Sequence, residues 1–124
     1  MSWQAYVDDQ LVAKGNTVSG AILGHDGSIW AKSANFNLTE SVAAAGLFTD
    51  SSMSVTLAGT KYQVLRKNLD EEVPFILTKK KEGGAVLAKT AQTVIIGVFE
   101  GEQQPGNASN DVLNLADYLA GAGY

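Results

Sequence analysis

The sequence contains no cysteine. That excludes a disulfide framework and any thiolate metal site, and it permits a reducing compartment. Histidine is nearly as scarce, since His25 is the single one, and it stands just before Asp26-Gly27 in what reads as a turn. A general base needs a pocket and an orienting partner; nothing around His25 in the chain supplies either, so it reads as surface decoration. Lys and Arg number nine against 13 Asp and Glu, a formal net charge of -4. Nucleic-acid binders neutralise phosphates with a surplus of cations, so nucleic acid is not an expected partner. No apolar run approaches the ~20 residues that span a bilayer. The opening MSWQAYVDDQ has no basic segment leading into an apolar core, and a cytoplasmic protein is expected.

Catalytic patterns are missing as well. Glu82-Gly83-Gly84 lacks the Gly-Lys-Ser/Thr ending of a phosphate loop, and no strand-glycines-helix dinucleotide signature occurs. Asp8-Asp9 and Asp70-Glu71-Glu72 are neighbours in sequence rather than carboxylates opposed across a cleft, and solvated faces explain them. No catalytic residue, metal or cofactor is predicted. Asn37-Leu38-Thr39 and Asn107-Ala108-Ser109 match the glycosylation sequon, but a chain that stays out of the secretory route leaves both unmodified.

What is present is one ordinary domain. The 124 residues are 45% hydrophobic, with 13 Gly and 2 Pro, a globular composition long enough to bury roughly two-thirds of the unfolded surface. Ser2 can cap a helix running to about Ala13, in which Trp3, Tyr6, Val7 and Leu11 recur at spacings of three and four; Gly15-Asn16 ends it. VSGAILG and SIWAKS read as strands about a tight turn, with Asp26-Gly27 supplying positive φ. Thr39 is a natural N-cap for a second helix, ESVAAAGLF, reaching about Phe48. Then β-branched runs follow, SVTLAG, TKYQVLRKN, PFILTKK, AVLAKTA and TVIIGVFE, separated closely enough that antiparallel pairing is simplest. After Pro105-Gly106, the positions Val112, Leu115, Ala116 and Leu119 give a closing helix. The prediction is an α+β fold over residues 1–124: a central antiparallel sheet of about six or seven strands, the terminal helices packed side by side on one face, a further short helix on the other.

Two features can carry function. Alternation turns Trp30 away from Ile29 and Ala31, and the terminal helices bring Trp3 and Tyr6 near Tyr118 and Tyr124. These rings read either as ordinary core or as an exposed aromatic platform. Such platforms suit polyproline II ligands, because a preformed helix loses little entropy on docking and proline rings stack on indole and phenol faces. Lys79-Lys80-Lys81, with Lys89 and Arg66, gathers five of the nine basic residues on neighbouring strands. This is either a solvated hairpin tip or a contact patch for an acidic protein surface or inositol lipid heads.

Several stretches in order resemble the profilin family over nearly the whole chain. SWQAYVDDQLV is similar to that family's N-terminal signature, AILGHDGSIWA to its strand-turn-strand with Trp, Lys79 to Gly84 with Lys89 to its GKKG...GG...KT stretch, and QPGNASNDVLNLADYLAGAGY to its closing helix. The ending ADYLAGAGY is nearer to profilins of lower eukaryotes and plants than to the animal pattern, which has His at the place of Tyr118. The resemblance implies a non-enzymatic, actin-monomer-binding cytoskeletal protein of the cytoplasm. Such a protein regulates polymerisation, promotes nucleotide exchange on actin, links actin to proline-rich partners such as formin-type elongation factors, and binds phosphatidylinositol bisphosphate head groups. It implies a polyproline groove lined by Trp3, Tyr6, Trp30, Tyr118, Leu119 and Tyr124. It implies actin contacts at Arg66, Glu72, Lys79, Lys80, Lys81, Lys89, Gln104, Gly106, Asn110 and Asn114, and lipid-head contacts at Arg66, Lys79, Lys80, Lys81 and Lys89. A monomer is the default state. The rival reading is a small sensor or trafficking domain that uses the aromatic cluster for a small ligand or a dimer interface.

Overall fold

In the structure, a computed structural model that describes residues 2–124, Ser2 caps helix α1 (Trp3–Gln10) by accepting the Ala5 N–H at 3.1 Å. A 3-10 turn over Val12–Lys14 prolongs it, and Gly15 closes the turn in the left-handed conformation. The first hairpin is β1 (Ser19–Gly24) and β2 (Ile29–Lys32). Of the two residues expected at positive φ in its turn, only Gly27 adopts it, at 88°. Asp26 acts differently: its carboxylate accepts the Ser28 N–H and hydroxyl at 3.0 and 2.7 Å, an Asx-type closure that needs no left-handed residue.

Helix α2 (Ser41–Gly46) starts one residue later than predicted. Glu40, not Thr39, occupies its N-cap. The reason is a tertiary demand on the Glu40 carboxylate, which accepts N–H groups from Thr39 at 3.1 Å, Ala58 at 2.9 Å and Gly59 at 3.0 Å. Ala58 and Gly59 form the turn after β3 (Ser54–Leu57), and Ala58 stands at φ 52°, unusual for a residue with a Cβ. The carboxylate therefore fastens α2 to a strained turn. Burial alone would raise the Glu40 pKa; the N–H groups of Gly59, Thr39 and Ala58 outweigh it and hold the carboxyl below its ordinary range.

β3 continues into β4 (Thr60–Asn68), β5 (Phe75–Lys80), β6 (Gly83–Lys89) and β7 (Thr93–Glu100), each antiparallel to the one before. The first hairpin joins through β1 on β7, giving one seven-stranded sheet ordered β2-β1-β7-β6-β5-β4-β3. Helix α3 (Pro105–Gly121) starts with Pro at its first position, where no N–H is needed, and runs back over β6 and β7.

Each face of the sheet has its own core. On one side Leu23, Val55, Leu57, Val64, Ile76, Leu87 and Ile96 pack with α2 residues Ala44 and Ala45. On the other, Ile22, Val86, Ala88, Ile95 and Phe99 pack with Val7 and Leu11, and with Val112, Leu115 and Leu119 of α3. The terminal helices thus share one face and α2 takes the other, as predicted. Their close approach depends on Gly20 and Gly97, register partners on β1 and β7. A Cβ on Gly20 would meet Leu11 at 2.8 Å and one on Gly97 would meet Val112 at 2.6 Å, so the helices lie on bare backbone where other residues would lift them off.

Candidate functional site

The aromatic side chains do converge. Trp3 lies with ring centroids 4.9 Å from Trp30, 4.9 Å from Tyr124 and 5.8 Å from Tyr6, and Tyr6 lies 5.9 Å from Tyr118. Tilted and edge-on geometries, 55° to 78° between planes, are those favoured by ring quadrupoles. The cluster sits at the solvent boundary rather than inside: Tyr118 is 60% and Tyr124 39% exposed, while Trp3, Tyr6 and Trp30 are half-buried against the helix-side core. Leu119 departs from its predicted role. It is fully buried, because it falls on the inner face of α3 with Val112, Leu115 and Ala116, and it supports the platform from beneath instead of lining it.

Trp30 reaches the cluster by a route that simple alternation does not give. Ile22 pairs with Ala31 but Leu23 pairs with Ile29, so two residues of β2 span one of β1. This bulge puts Trp30 and Ala31 on the same helix-side core while Ile29 is left 40% exposed; the expected opposition of Trp30 and Ala31 is thereby corrected. Bulges re-aim side chains in this way. The turn then fixes the ring, since Trp30 Nε1–H donates to Ser28 Oγ at 3.1 Å and the Ser28 hydroxyl donates to Asp26. The Ser28 hydroxyl, followed by its backbone N–H, holds the Asp26 carboxyl below its ordinary range. Among the described residues Trp3 Nε1 makes no such bond, which leaves that indole able to donate to a bound carbonyl. Hydrogen bonding with Tyr118 and, secondly, desolvation hold the Tyr6 phenol above its ordinary pKa, so it remains a protonated donor near neutral pH.

A groove of about 280 Å³ runs on from the platform between α1 and α3, lined by Tyr6, Gln10, Lys14, Asp111, Asn114, Leu115 and Tyr118. Asn114, predicted among the actin contacts, therefore lies on the α1 side of the final helix. His25 is more than decoration. Its Nε2 donates to the Thr90 carbonyl at 2.8 Å, tying the β1–β2 turn to the β6–β7 turn.

The basic residues divide between faces. Tyr62 and Ile76 belong to the α2-side core, so alternation along β4 and β5 sends Lys61, Gln63 and Lys79 to the helix side. A second bulge, between Val64 and Arg66, places Arg66 opposite Leu77, also on the helix side. Lys80 points the other way. It lies 5.3 Å from the Tyr62 ring centroid and pairs with Glu100; desolvation works against its charge, but the Glu100 bond and Tyr62 raise its pKa. Lys89 pairs with Val94 of the α2-side core. Six residues along β6 from the partner of Lys80, it is about 20 Å away. The predicted five-residue patch is thus corrected: Arg66 and Lys79 share a face with Lys61, whereas Lys80 and Lys89 belong to the opposite one. Lys61, Lys79, Lys80 and Lys81 border a basic groove with Met53, Ser54 and Gln63, although the Lys80 ammonium is turned away to Glu100. Glu72 adjoins Leu113 and Asp117 in a separate groove beside α3. Gln104, Gly106 and Asn110 are exposed along the first half of α3. No cluster of His, Cys, Asp or Glu able to hold a metal occurs among the described residues, and no helix of the described chain is long and apolar enough to cross a membrane.

Comparison with known proteins agrees with this arrangement. The family model for profilin matches residues 1–124. This chain belongs to the profilin family. It is 42% identical over 130 residues to Profilin-2 of Acanthamoeba castellanii and 43% over 129 to Profilin-A of Physarum polycephalum, with all of each chain covered. The crystal structure of A. castellanii profilin II superposes with a TM-score of 0.88 at 41% identity, covering 99% of this chain and 100% of that one. Two more distant neighbours, each 20% identical, share the fold: mouse profilin IIa in complex with a double repeat from the FH1 domain of mDia1 (TM-score 0.78, all of both chains), and LokiProfilin1 in complex with rabbit actin (0.75, 93% of this chain and 91% of that one). Membership makes the protein non-enzymatic and actin-binding by family, and it sets aside the sensor or trafficking reading.

Proposed function

We propose that the protein is a two-faced adaptor that binds monomeric actin on one surface and a proline-rich segment on the other, within the cytoplasm and as a monomer. The observation that carries this reading is the convergence of Trp3, Tyr6, Trp30, Tyr118 and Tyr124 from both terminal helices and one strand into a half-exposed platform. Flat rings with unused donors suit proline rings and the strong carbonyl acceptors between them, which have no paired N–H. The FH1-bound mouse profilin supports this assignment by its shared fold.

The actin surface is the exposed flank where β4 and β5 emerge beyond α3, carrying Arg66, Lys79, Lys81, Gly106 and Asn110, with Glu72 and Gln104 at its margins. The actin-bound relative supports it in the same manner. Acceleration of nucleotide exchange follows if this flank prefers actin with an opened cleft, since only differential affinity shifts a conformational equilibrium. Phosphoinositide head groups compete at the groove of Lys61, Lys79 and Lys81, where three ammonium groups are available to phosphate oxygens.

Titration with oligoproline, followed by tryptophan fluorescence, together with titration of monomeric actin in the same preparation, tests the whole reading. Saturable, mutually independent binding of both is expected. Absence of oligoproline binding by the folded wild-type protein would reject the platform assignment.

A further inference from the structure

Thr90 is buried at the head of the β6–β7 turn, 6% exposed, and its polar atoms reach three separate segments. Its N–H donates to Thr93 O at 2.8 Å, and its hydroxyl oxygen accepts the Thr93 N–H at 3.1 Å and contacts the Thr93 hydroxyl. Its carbonyl accepts His25 Nε2–H from the first hairpin. The hydroxyl proton goes to the main-chain oxygen of Tyr124, at 2.8 Å. A threonine hydroxyl has one proton and two lone pairs; here the proton serves Tyr124 and the lone pairs serve Thr93.

Tyr124 follows Gly123, which stands at φ 95° beyond the end of α3. Its main chain is nevertheless fixed. Besides Thr90, the Gln92 N–H donates to Tyr124 O, the Gln92 side chain donates to Gly123 O at 3.1 Å, and Tyr124 N–H returns to Leu119 O at 2.9 Å. The ring so held stands edge-on to Trp3. We infer that Thr90 is a positioning residue for the polyproline face: without touching the ligand, its hydroxyl holds the Tyr124 main chain so that the ring stays as a wall beside Trp3. The inference rests on the proposed polyproline reading and names what pre-organises that site. If the tether were cut, part of the ligand's binding energy would go to ordering Tyr124, which is the general cost that pre-organisation removes.

The test uses full-length Thr90→Val, Thr90→Ser, Gln92→Ala and Tyr124→Ala, with the Thr90→Val/Tyr124→Ala double variant. Without ligand, Thr90→Val should shift the near-UV circular dichroism of Trp3 toward that of Tyr124→Ala, and Thr90→Ser should retain the wild-type spectrum. Oligoproline affinity should fall about 3- to 10-fold in Thr90→Val, the range for one hydrogen bond, and stay within about two-fold in Thr90→Ser. In the Tyr124→Ala background, Thr90→Val should change it by less than about two-fold. Gln92→Ala, an exposed change that leaves the core intact, should show a smaller shift in the same direction. A wild-type near-UV spectrum in Thr90→Val, or an equal loss of affinity with and without the Tyr124 ring, overturns the inference. Failure of the wild type to bind oligoproline rejects the polyproline reading instead, and the ligand-free spectra still decide whether Thr90 positions Tyr124.

Discussion

Replacing Trp3 by Ala removes the hub of the platform, because three other rings lie within 5.8 Å of this one side chain. Aromatic pairs are worth roughly 0.5–1.5 kcal/mol each. Three of them summed independently would give about 1.5–4.5 kcal/mol, but they share one ring and the site is half-exposed, so the folding cost should settle near 2 kcal/mol. α1 has a further hold on the sheet that survives the change: the Gln4 amide donates to the Lys32 carbonyl at 2.7 Å and Val7 and Leu11 stay buried. A folded variant with a lowered melting temperature is therefore expected. Its affinity for oligoproline should drop by at least about 30-fold, corresponding to ~2 kcal/mol for loss of a central aromatic anchor.

Calorimetric titration is the appropriate assay, since the variant keeps only Trp30 as a fluorophore. Trp3→Phe adds a discriminating case. It keeps a stacking face but loses the one indole N–H without a partner among the described residues, so it should lie between wild type and Trp3→Ala. Actin binding should be unchanged in both, as the actin flank lies across α3 from Trp3. A Trp3→Ala protein that melts cooperatively yet binds oligoproline within about two-fold of wild type would refute the reasoning.

Further outcomes follow from the packing and the charges. Gly97→Ala must displace Val112, 2.6 Å from the new methyl; thermal unfolding should show about 1–3 kcal/mol lost. Gly121→Ala, which meets nothing within 4 Å, should be neutral or stabilising by up to ~1 kcal/mol. Lys79→Glu should weaken actin several-fold in a pull-down or titration, whereas Lys80→Met, whose charge is turned to Glu100 and Tyr62 on the opposite face, should leave actin binding nearly intact and cost at most ~1 kcal/mol of stability. Glu40→Gln should destabilise by about 1–2 kcal/mol at neutral pH, because the carboxylate accepts three N–H groups but remains partly solvated. A carboxyl held below its unfolded pKa contributes fully above that unfolded value and loses its contribution as pH falls through the folded one. The gap between Glu40→Gln and wild type should thus narrow in denaturant titrations as pH falls below the ordinary Glu value of about 4.3 and through the lower folded one; a gap independent of pH would contradict the role assigned to the charge.

The strands and the outer helices were legible because their signals are local: a period of two in TKYQVLRKN, three-four spacing from Val112 to Leu119, and Ser2 before an amphipathic run. Two of the misreadings share a cause. Thr39 has the better intrinsic capping side chain, but Glu40 has partners 18 and 19 residues away at the Ala58-Gly59 turn, and tertiary demand overrode local preference. The bulge at Trp30 could not be seen either, because it is defined by the register with β1 and not by residues of β2 alone. The lysine run misleads for a simpler reason. Consecutive residues on a strand face opposite ways, so period two applied to KKK would have sent the Lys79 and Lys80 ammonium groups in opposite directions, although both residues border the Lys61 groove. Thr90 and Gln92 gave no signal, since they act through hydrogen bonds to Gly123 and Tyr124, remote in sequence; Ser28 gave none because its bonds to Asp26 and Trp30 depend on the shape of the turn.

The geometry also bears on why the two faces can be occupied together. The platform depends on α1, the β1–β2 turn and the last turn of α3, while the actin flank depends on β4, β5 and the first half of α3. Only α3 is common to both. It is seated on β6 and β7 by Ala108, Val112, Leu115 and Ala116, all buried, and it meets the sheet over the bare backbone of Gly97, which leaves no slack for sliding. A rigid shared helix transmits no displacement from one ligand to the other, so coupling between the sites should be small in either direction, as reciprocity requires. A variant that loosens this seat, Gly97→Ala above all, is the one in which the two affinities should begin to depend on each other.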